Sequence, residues 1–492
     1  MKSEDIKPEL PEQEAIIENV ELNINEALFP VVILVGMLAY NIFIFGDSAL
    51  GGSNQFILLM GASVAAIVGF LNKVTYAQMM EEVAHNVKST SGAILIMLMV
   101  GALSGTWLLS GIIPSMIYYG LQILSPTFFL VASLVICSIV SLATGSSWST
   151  SATVGIALIG IGSTMGIDPG MTAGAVISGA YFGDKISPLS DTTNLASAMA
   201  GAELFDHIRY MFITTIPSIS VAIIVFLIMG FNISSTGTPD ITDKLTAIDS
   251  AFNISPWLFL VPAAVIFMVI KKTQPLVALL AGALFGGIAA IIFQPDIVVK
   301  VAGGVSLDFN TAYKGILTAL TTKTSIATSN AELNDLFTAK GMEGMLGTIW
   351  LIICAMVFGG VMDAIGALAR ISESLLNMFH TVFGLFASTV LSCLAINVTA
   401  SDQYLAIVIP GKMYKKAFDE KGLHPVNLSR TLEDTGTVTS VLIPWNTCGA
   451  YNAGVLGVPT VDYFIYAIFN WVSPFTTLIV AALKYKIKQL KS

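Results

Sequence analysis

Between Lys88 and Asp168 the chain carries no Asp, Glu, Lys, Arg or His. A water-soluble domain is about 25% charged, whereas 11% of these 492 residues are charged and 55% are hydrophobic. At ~20 residues per crossing, that stretch alone could traverse a bilayer core about three or four times. Mean hydropathy is +0.80 over the whole chain. The chain therefore reads as a polytopic, all-α membrane protein.

The net charge of −9 sits largely outside the membrane. Residues 1–26 hold Glu4, Asp5, Glu9, Glu12, Glu14, Glu18, Glu21 and Glu26 against Lys2 and Lys7. That composition lacks the basic n-region of a cleaved signal peptide and predicts an acidic cytoplasmic tail. Basic residues are few and scattered, which argues against nucleic acid as a partner. Cys137, Cys354, Cys393 and Cys448 lie in apolar runs without metal-ligand spacing, as small packing residues do. His85, His207, His380 and His424 are equally dispersed and are expected in loops at helix ends. No cofactor is expected.

Apolar segments fall at 28–46, 55–71, 92–111, 210–232, 256–270, 276–293, 347–362 and 463–483. Longer stretches at 125–166, 170–199, 381–411 and 431–457 are broken by Gly, Ser and Pro. Broken backbone at membrane depth is tolerated only where it is buried in protein or lines a cavity. Those stretches are the expected transport path. Lys and Arg in short loops mark the cytoplasmic side: Lys412, Lys415, Lys416, Lys421 and Arg430 in one loop, Lys484, Lys486, Lys488 and Lys491 at the C-terminus. Lys271, Lys272 and the 73–88 loop fit the same side, and the 232–255 loop, with Asp240, Asp243 and Asp249 against Lys244, fits outside. Small helices are expected in the 296–343 loop. Both termini are expected to be cytoplasmic.

The first half of the sequence recurs about 255 residues later. Gly92, Gly105 and Gly111 fall on Gly347, Gly360 and Gly366. A shift of 256 sets Thr144–Ser149 on Ala400–Leu405, and Ile186–Leu189 on Leu442–Trp445. An odd number of crossings per half makes the halves antiparallel, a construction of secondary transporters with the site at the midplane. The expected fold is two inverted repeats of five spans each, with one re-entrant hairpin and one unwound helix per repeat; full helix pairs at 125–166 and 381–411 in place of the hairpins would leave the parity unchanged. Repeat 1 occupies 27–232, an external linker 233–255 and repeat 2 256–484, followed by a basic cytoplasmic C-terminus at 485–492.

Four polar groups stand out in this apolar frame. Thr144-Gly145-Ser146-Ser147-Trp148-Ser149-Thr150 offers hydroxyls and a backbone break, and hard cations take such oxygens. Ser146, Ser147 and Thr150 are candidate ligands; the alternative is that they bond back to helix carbonyls. Gly183-Asp184-Lys185-Ile186-Ser187-Pro188-Leu189-Ser190-Asp191-Thr192-Thr193-Asn194 sets two carboxylates and a lysine within a span. A charge at the bilayer centre costs about 3 kcal/mol or more and usually serves function. Asp184 and Asp191 are therefore candidate cation and proton sites, Thr192 and Asn194 candidate ligands, and Lys185 a charge partner. Asp184 and Lys185 could instead form an ion pair at a helix end. In the second half, Ser401 and Asp402 sit at the hairpin turn, and Glu433, Asp434 and Thr435 open the broken helix. Glu433 and Asp434 could also simply offset a helix dipole. Pro444, Trp445, Asn446 and Thr447 are expected along the second unwound segment, Asp363 at an interface, and Asp168, before Pro169, at an N-cap.

A carboxylate buried away from water prefers to be neutral, and either a proton or a bound cation can make it so. Na⁺ and H⁺ would then compete for one anionic site, which yields obligatory exchange if the empty site cannot reorient. Thr144–Thr150 together with Ser178-Gly-Ala-Tyr-Phe-Gly-Asp-Lys-Ile-Ser-Pro-Leu-Ser-Asp-Thr-Thr-Asn194 closely resembles the NhaC-type Na⁺/H⁺ antiporter family. The resemblance covers nearly the whole chain except the acidic tail. It implies an inner-membrane Na⁺-extruding antiporter with Na⁺, H⁺ and the lipid bilayer as partners, and a homodimer is among the assemblies it allows. It also implies an alternative, since the family includes malate/Na⁺-lactate antiporters. An organic-acid exchanger needs intramembrane cations, and Lys185 is the clear one here, so cation exchange is the favoured expectation. The chain lacks the GxGD and GxSG patterns of intramembrane proteases, because Tyr181 and Trp148 fall at the required glycines.

Overall fold

The computed structural model describes residues 16–45, 51–234, 241–271, 273–378 and 381–490. The first part of the chain forms α1 (Ile24–Phe45), α2 (Ser53–Leu71), α3 (Tyr76–Ser89), α4 (Ser91–Leu109), α5 (Ile112–Ile123) and α6 (Pro126–Thr144). After a break at Gly145 come α7 (Ser147–Thr150), a π turn (Ser151–Gly155), α8 (Ile156–Thr164), α9 (Pro169–Ile186), α10 (Asp191–Ala200) and α11 (Leu204–Ser234). The second part forms α12 (Ile241–Ala251), α13 (Leu260–Ile270), α14 (Pro275–Phe293), α15 (Pro295–Ala302), α16 (Phe309–Thr321), α17 (Ala331–Leu336) and α18 (Leu346–Ala364). It continues through α19 (Ala367–Asn377), α20 (Val382–Thr399), α21 (Leu405–Glu420), α22 (Val426–Leu432), a π turn (Glu433–Thr437), α23 (Thr447–Leu456), α24 (Thr460–Tyr463) and α25 (Ile468–Ala482). Eight described helices are long and apolar enough to cross a membrane, or up to ten if each of two bent pairs is one span.

The spanning helices turn large apolar side chains such as Ile67, Phe70, Phe231, Ile292 and Ile479 outward. That pattern suits a lipid-facing perimeter, because hydrocarbon solvates them as well as a core does. α3 is different: it is amphipathic and lies between two spans. Thr75 and Gln78 close a reciprocal capping box at its start, while Met79, Val83 and Asn86 are buried. The apolar run at 256–270 follows an 83° bend from 242–251, and the run at 463–483 includes a 53° bend between 460–466 and 468–482.

Small residues bring the site-bearing helices together. A Cβ added at Gly179 would lie 2.2 Å from Leu134 O, and one at Gly183 2.4 Å from Ser138 O. These glycines lie one turn apart on α9, so α6 packs backbone to backbone beside Asp184.

Left-handed residues recur at the spacing seen in the sequence. Gly111 (φ 79°) follows α4 and Gly366 (φ 76°) follows α18, 255 residues on. Gly145 (68°) and Ser401 (60°), Gly166 (76°) and Gly422 (68°), and Gly201 (80°) and Gly457 (69°) each recur at 256.

Three expectations need correction. His207 is buried within α11, where its Nδ1 lies 2.8 Å from Ser429 Oγ, rather than sitting in a loop. Arg430 is not part of a basic loop but a fully buried residue of α22. The all-α frame carries a short antiparallel pair, β1 (Thr324–Ser325) with β2 (Thr338–Ala339). The 296–343 region does contain helices, α15 to α17. Asp168 caps α9 as expected, accepting from Met171 N at 3.1 Å. Glu4, Asp5, Glu9, Glu12, Glu14, Lys2, Lys7, Asp240, Lys272, His380 and Lys491 lie outside the described residues.

Candidate functional site

Four helix breaks gather the polar residues. At each break a polar side chain at or just before the restarting helix accepts from its first free N–H groups. Ser146 accepts from Ser149 N at 3.1 Å, and Asp402, its equivalent at a shift of 256, accepts from Tyr404 N at 2.8 Å and Leu405 N at 3.1 Å. Ser190 accepts from Thr193 N at 3.4 Å, and Asn446, again 256 later, accepts from Cys448 N at 3.0 Å. Helix N-termini leave N–H groups unpaired, and these oxygens satisfy them. The two breaks of the first half touch: a Cβ on Gly145 would fall 2.6 Å from the carbonyl carbon of Leu189.

At this junction Asp184 is buried at the end of α9. Its Oδ2 accepts from Ser147 Oγ at 2.7 Å and Ser147 N at 3.1 Å, while Oδ1 has no hydrogen-bond partner among the described residues. Glu433 approaches from the π turn of the second half, fully buried. Its Oε1 accepts from Thr192 Oγ1 at 3.1 Å, and its Oε2 also has no partner among the described residues. Thr192 in turn lies 3.1 Å from Ser190 Oγ. Two buried carboxylates, each with a hydroxyl donor and one open oxygen, thus lie within electrostatic reach of each other where the halves of the chain join. An oxygen-rich dry site of this kind can hold a proton or a desolvated hard cation.

The neighbouring residues 185 and 434 do something else. Successive side chains on a helix point about 100° apart, so Lys185 and Asp434 form their own pair beside the acids. Lys185 Nζ bonds Asp434 and lies 3.1 Å from Ser473 Oγ and 5.4 Å from the Phe469 ring centroid. Both side chains are fully buried. Asp434 also accepts from Thr214 Oγ1 at 3.1 Å and from Thr477 Oγ1. The partner of Lys185 is therefore Asp434, not Asp184. Asp434 is no helix-dipole ornament: its oxygens are taken up by three elements.

The remaining candidates divide. Asp191 opens α10 and is exposed; with Asp402 and Asp184 it lies within electrostatic reach of Tyr404. Asn194 is exposed and donates to Ser190 O at 2.7 Å and Pro188 O at 3.1 Å, which steadies the loop. Thr150 bonds back to Ser146 O at 2.9 Å. Ser401 Oγ and Thr435 Oγ1 are buried without hydrogen-bond partners among the described residues. Asn446 reaches Asn397 O at 3.1 Å, and Asn397 donates to Gly436 O at 2.8 Å inside the π turn. Trp445 donates to Val398 O at 2.9 Å. Asn397, Thr214, Ser473 and Thr477 escaped the sequence analysis, although Asn397 interrupts an apolar run and could have drawn notice there.

Contacts between the halves continue past the acids. Trp148 stacks on Tyr451 at 4.1 Å between centroids, and Ser151 Oγ donates to Asn452 Oδ1 at 2.8 Å.

The sequence matches the profile of the Na⁺/H⁺ antiporter family over residues 179–484, a span that contains Asp184, Lys185, Glu433 and Asp434. It is 37% identical over 416 residues to the Na⁺/H⁺ antiporter NhaC of Alkalihalophilus pseudofirmus, with 85% of this chain and 87% of that one covered. To NhaC of Bacillus subtilis it is 35% identical over 404 residues, covering 82% and 86%. A malate-2H⁺/Na⁺-lactate antiporter of Bacillus subtilis is 34% identical over 454 residues, covering 91% and 92%. On the profile match and on identities of this extent, the chain belongs to the Na⁺/H⁺ antiporter family.

Proposed function

We propose that this protein is a secondary antiporter that exchanges Na⁺ for H⁺ across the prokaryotic inner (plasma) membrane at the Asp184–Glu433 pair. One observation carries the assignment: two buried carboxylates from opposite halves of the chain, each with one oxygen unpartnered among the described residues. Leaving such charges uncompensated in a low-dielectric interior costs several kcal/mol per ion. A proton on one carboxylate, or Na⁺ between the open oxygens and the Ser147 and Thr192 hydroxyls, removes that cost. Each excludes the other, and the empty, charged site resists moving through the apolar core. Exchange is then obligatory.

The architecture is two inverted repeats, 27–232 and 256–484, joined by the 233–255 linker, with re-entrant hairpins at 125–166 and 381–411 and unwound helices at 187–190 and 443–446. The support is the recurrence of four left-handed residues at shifts of 255 or 256, and of the caps Ser146/Asp402 and Ser190/Asn446. Charge supports the inversion: the 412–421 segment, which is the last part of α21 rather than the expected loop, is basic, while its counterpart in the first half has no Lys or Arg. Both termini then face the cytoplasm. Organic-acid exchange finds less support, since Lys185, the cation beside Asp184, is committed to Asp434.

Purified protein in liposomes loaded with Na⁺ and a pH dye, diluted into Na⁺-free buffer, should acidify the lumen as Na⁺ leaves. Asp184→Asn and Glu433→Gln should each abolish that signal. Wild-type rates in either variant would remove that carboxylate from the site, and a signal driven by malate or lactate but not by Na⁺ would overturn the assignment.

A further inference from the structure

Arg430 is fully buried in α22, yet none of its three guanidinium nitrogens makes a hydrogen bond among the described residues. Its Cζ lies 4.6 Å from the Tyr210 ring centroid and 5.9 Å from that of Phe386. Its Nε stands 3.8 Å from Asp434 Oδ2, close enough for attraction and too far for a hydrogen bond. An arginine carries five N–H donors in a rigid fork that matches a carboxylate. Leaving that fork empty in a dry interior is costly. Such an arrangement persists only if something else requires the guanidinium there.

The requirement lies one residue from the acids. Lys185 adjoins Asp184 on α9, and Asp434 adjoins Glu433 on the π turn, so any shift of α9 against the π turn that alters the ion site also strains the Lys185–Asp434 bond. Asp434 without a cation would be a bare buried charge, which is costly in a dry interior. The geometry points to Arg430 as the reserve counter-cation of Asp434: when Lys185 lets go, the guanidinium slides off Tyr210 and closes the 3.8 Å gap. Asp434 thereby keeps a cationic partner while α9 and the π turn shift against each other at Asp184 and Glu433. Arg430 touches neither of those acids in the contacts described, so it is a positioning residue.

This rests on the antiport assignment, and wild-type protein in liposomes tests that first; failure of wild-type exchange would sink the assignment, not this inference. Given wild-type exchange, Arg430→Gln should cut the maximal rate by about tenfold or more, the size of one charge-assisted hydrogen bond. The apparent KM for Na⁺ should stay within about twofold, since Na⁺ binding is untouched. Arg430→Lys, which keeps the charge, should recover most of the rate. Tyr210→Leu, which removes the resting face of the guanidinium without touching any charge, should slow exchange at unchanged KM and serves if Arg430→Gln does not fold. Wild-type kinetics in Arg430→Gln, a raised KM at unchanged rate, or a Lys variant as slow as Gln would each overturn the role; should Arg430→Gln not fold, wild-type kinetics in Tyr210→Leu would do so.

Discussion

At Ser147 two donors meet one oxygen: the backbone N–H at 3.1 Å and the hydroxyl at 2.7 Å both reach Asp184 Oδ2. Hydrogen bonds to a charged group contribute about 1.5–3 kcal/mol, and this pair stabilises the ionised carboxylate that Na⁺ needs. Ser147→Ala removes the hydroxyl and leaves the N–H. The apparent KM for Na⁺ should then rise by about tenfold, read from the Na⁺ dependence of dye-reported proton flux; an unchanged KM would show that the hydroxyl plays no part in holding the ion. At this scale the sequence told which residue types mattered but not their pairing. Ser147, Asp184, Thr192 and Glu433 are legible as polar groups stranded in apolar runs. That Glu433 reaches Thr192 while Asp434 reaches Lys185 depends on helix rotation across 241 and 249 residues of separation, which no local pattern encodes. Arg430 misled for a simpler reason. Charge counting assigns any arginine beside a run of lysines to a loop, and only burial distinguishes it.

The elements owe their placement to breaks that only certain residues can make. Gly145 adopts φ 68° and lies against the Leu189 backbone of the neighbouring break. Gly457 adopts nearly the same φ, 69°, with open space around it. Substituting each by Ala separates two costs. At Gly457 only the left-handed strain of about 1–2 kcal/mol applies. At Gly145 the added methyl also strikes backbone at 2.6 Å, which no side-chain rotation relieves. Thermal unfolding in detergent should show a clearly larger loss for Gly145→Ala than for Gly457→Ala, with exchange lost only in the former. Equal losses would mean that the two breaks do not bear on each other. Break positions were readable because Gly, Ser and Pro interrupt otherwise continuous apolar runs at 144–147 and 186–190. The π turns at Ser151–Gly155 and Glu433–Thr437 were not readable. One extra residue per turn leaves no compositional trace.

For the whole molecule the proposed inversion rests on parity, and parity can be tested from outside the cell. If each half crosses five times and the hairpins return to the side they left, the segment joining α15 to α16 and the end of α21 lie on opposite faces. Val305 is wholly exposed in the first and Lys416 is 87% exposed, by its side chain, in the second. The native cysteines are buried, so a cysteine introduced at either position reports with little background. In intact cells a membrane-impermeant maleimide should label Val305→Cys and spare Lys416→Cys, and inside-out vesicles should reverse the pattern. Labelling of both from one face would make the second hairpin an odd number of crossings and turn the part of the second half beyond it, which carries Glu433, parallel to its counterpart in the first half. The acids would then lose their opposed approach. In the proposed inversion Asp184 reaches the junction at the end of a helix coming from one face and Glu433 along a helix from the other, and opposed helices of that kind let one site open to either side in turn.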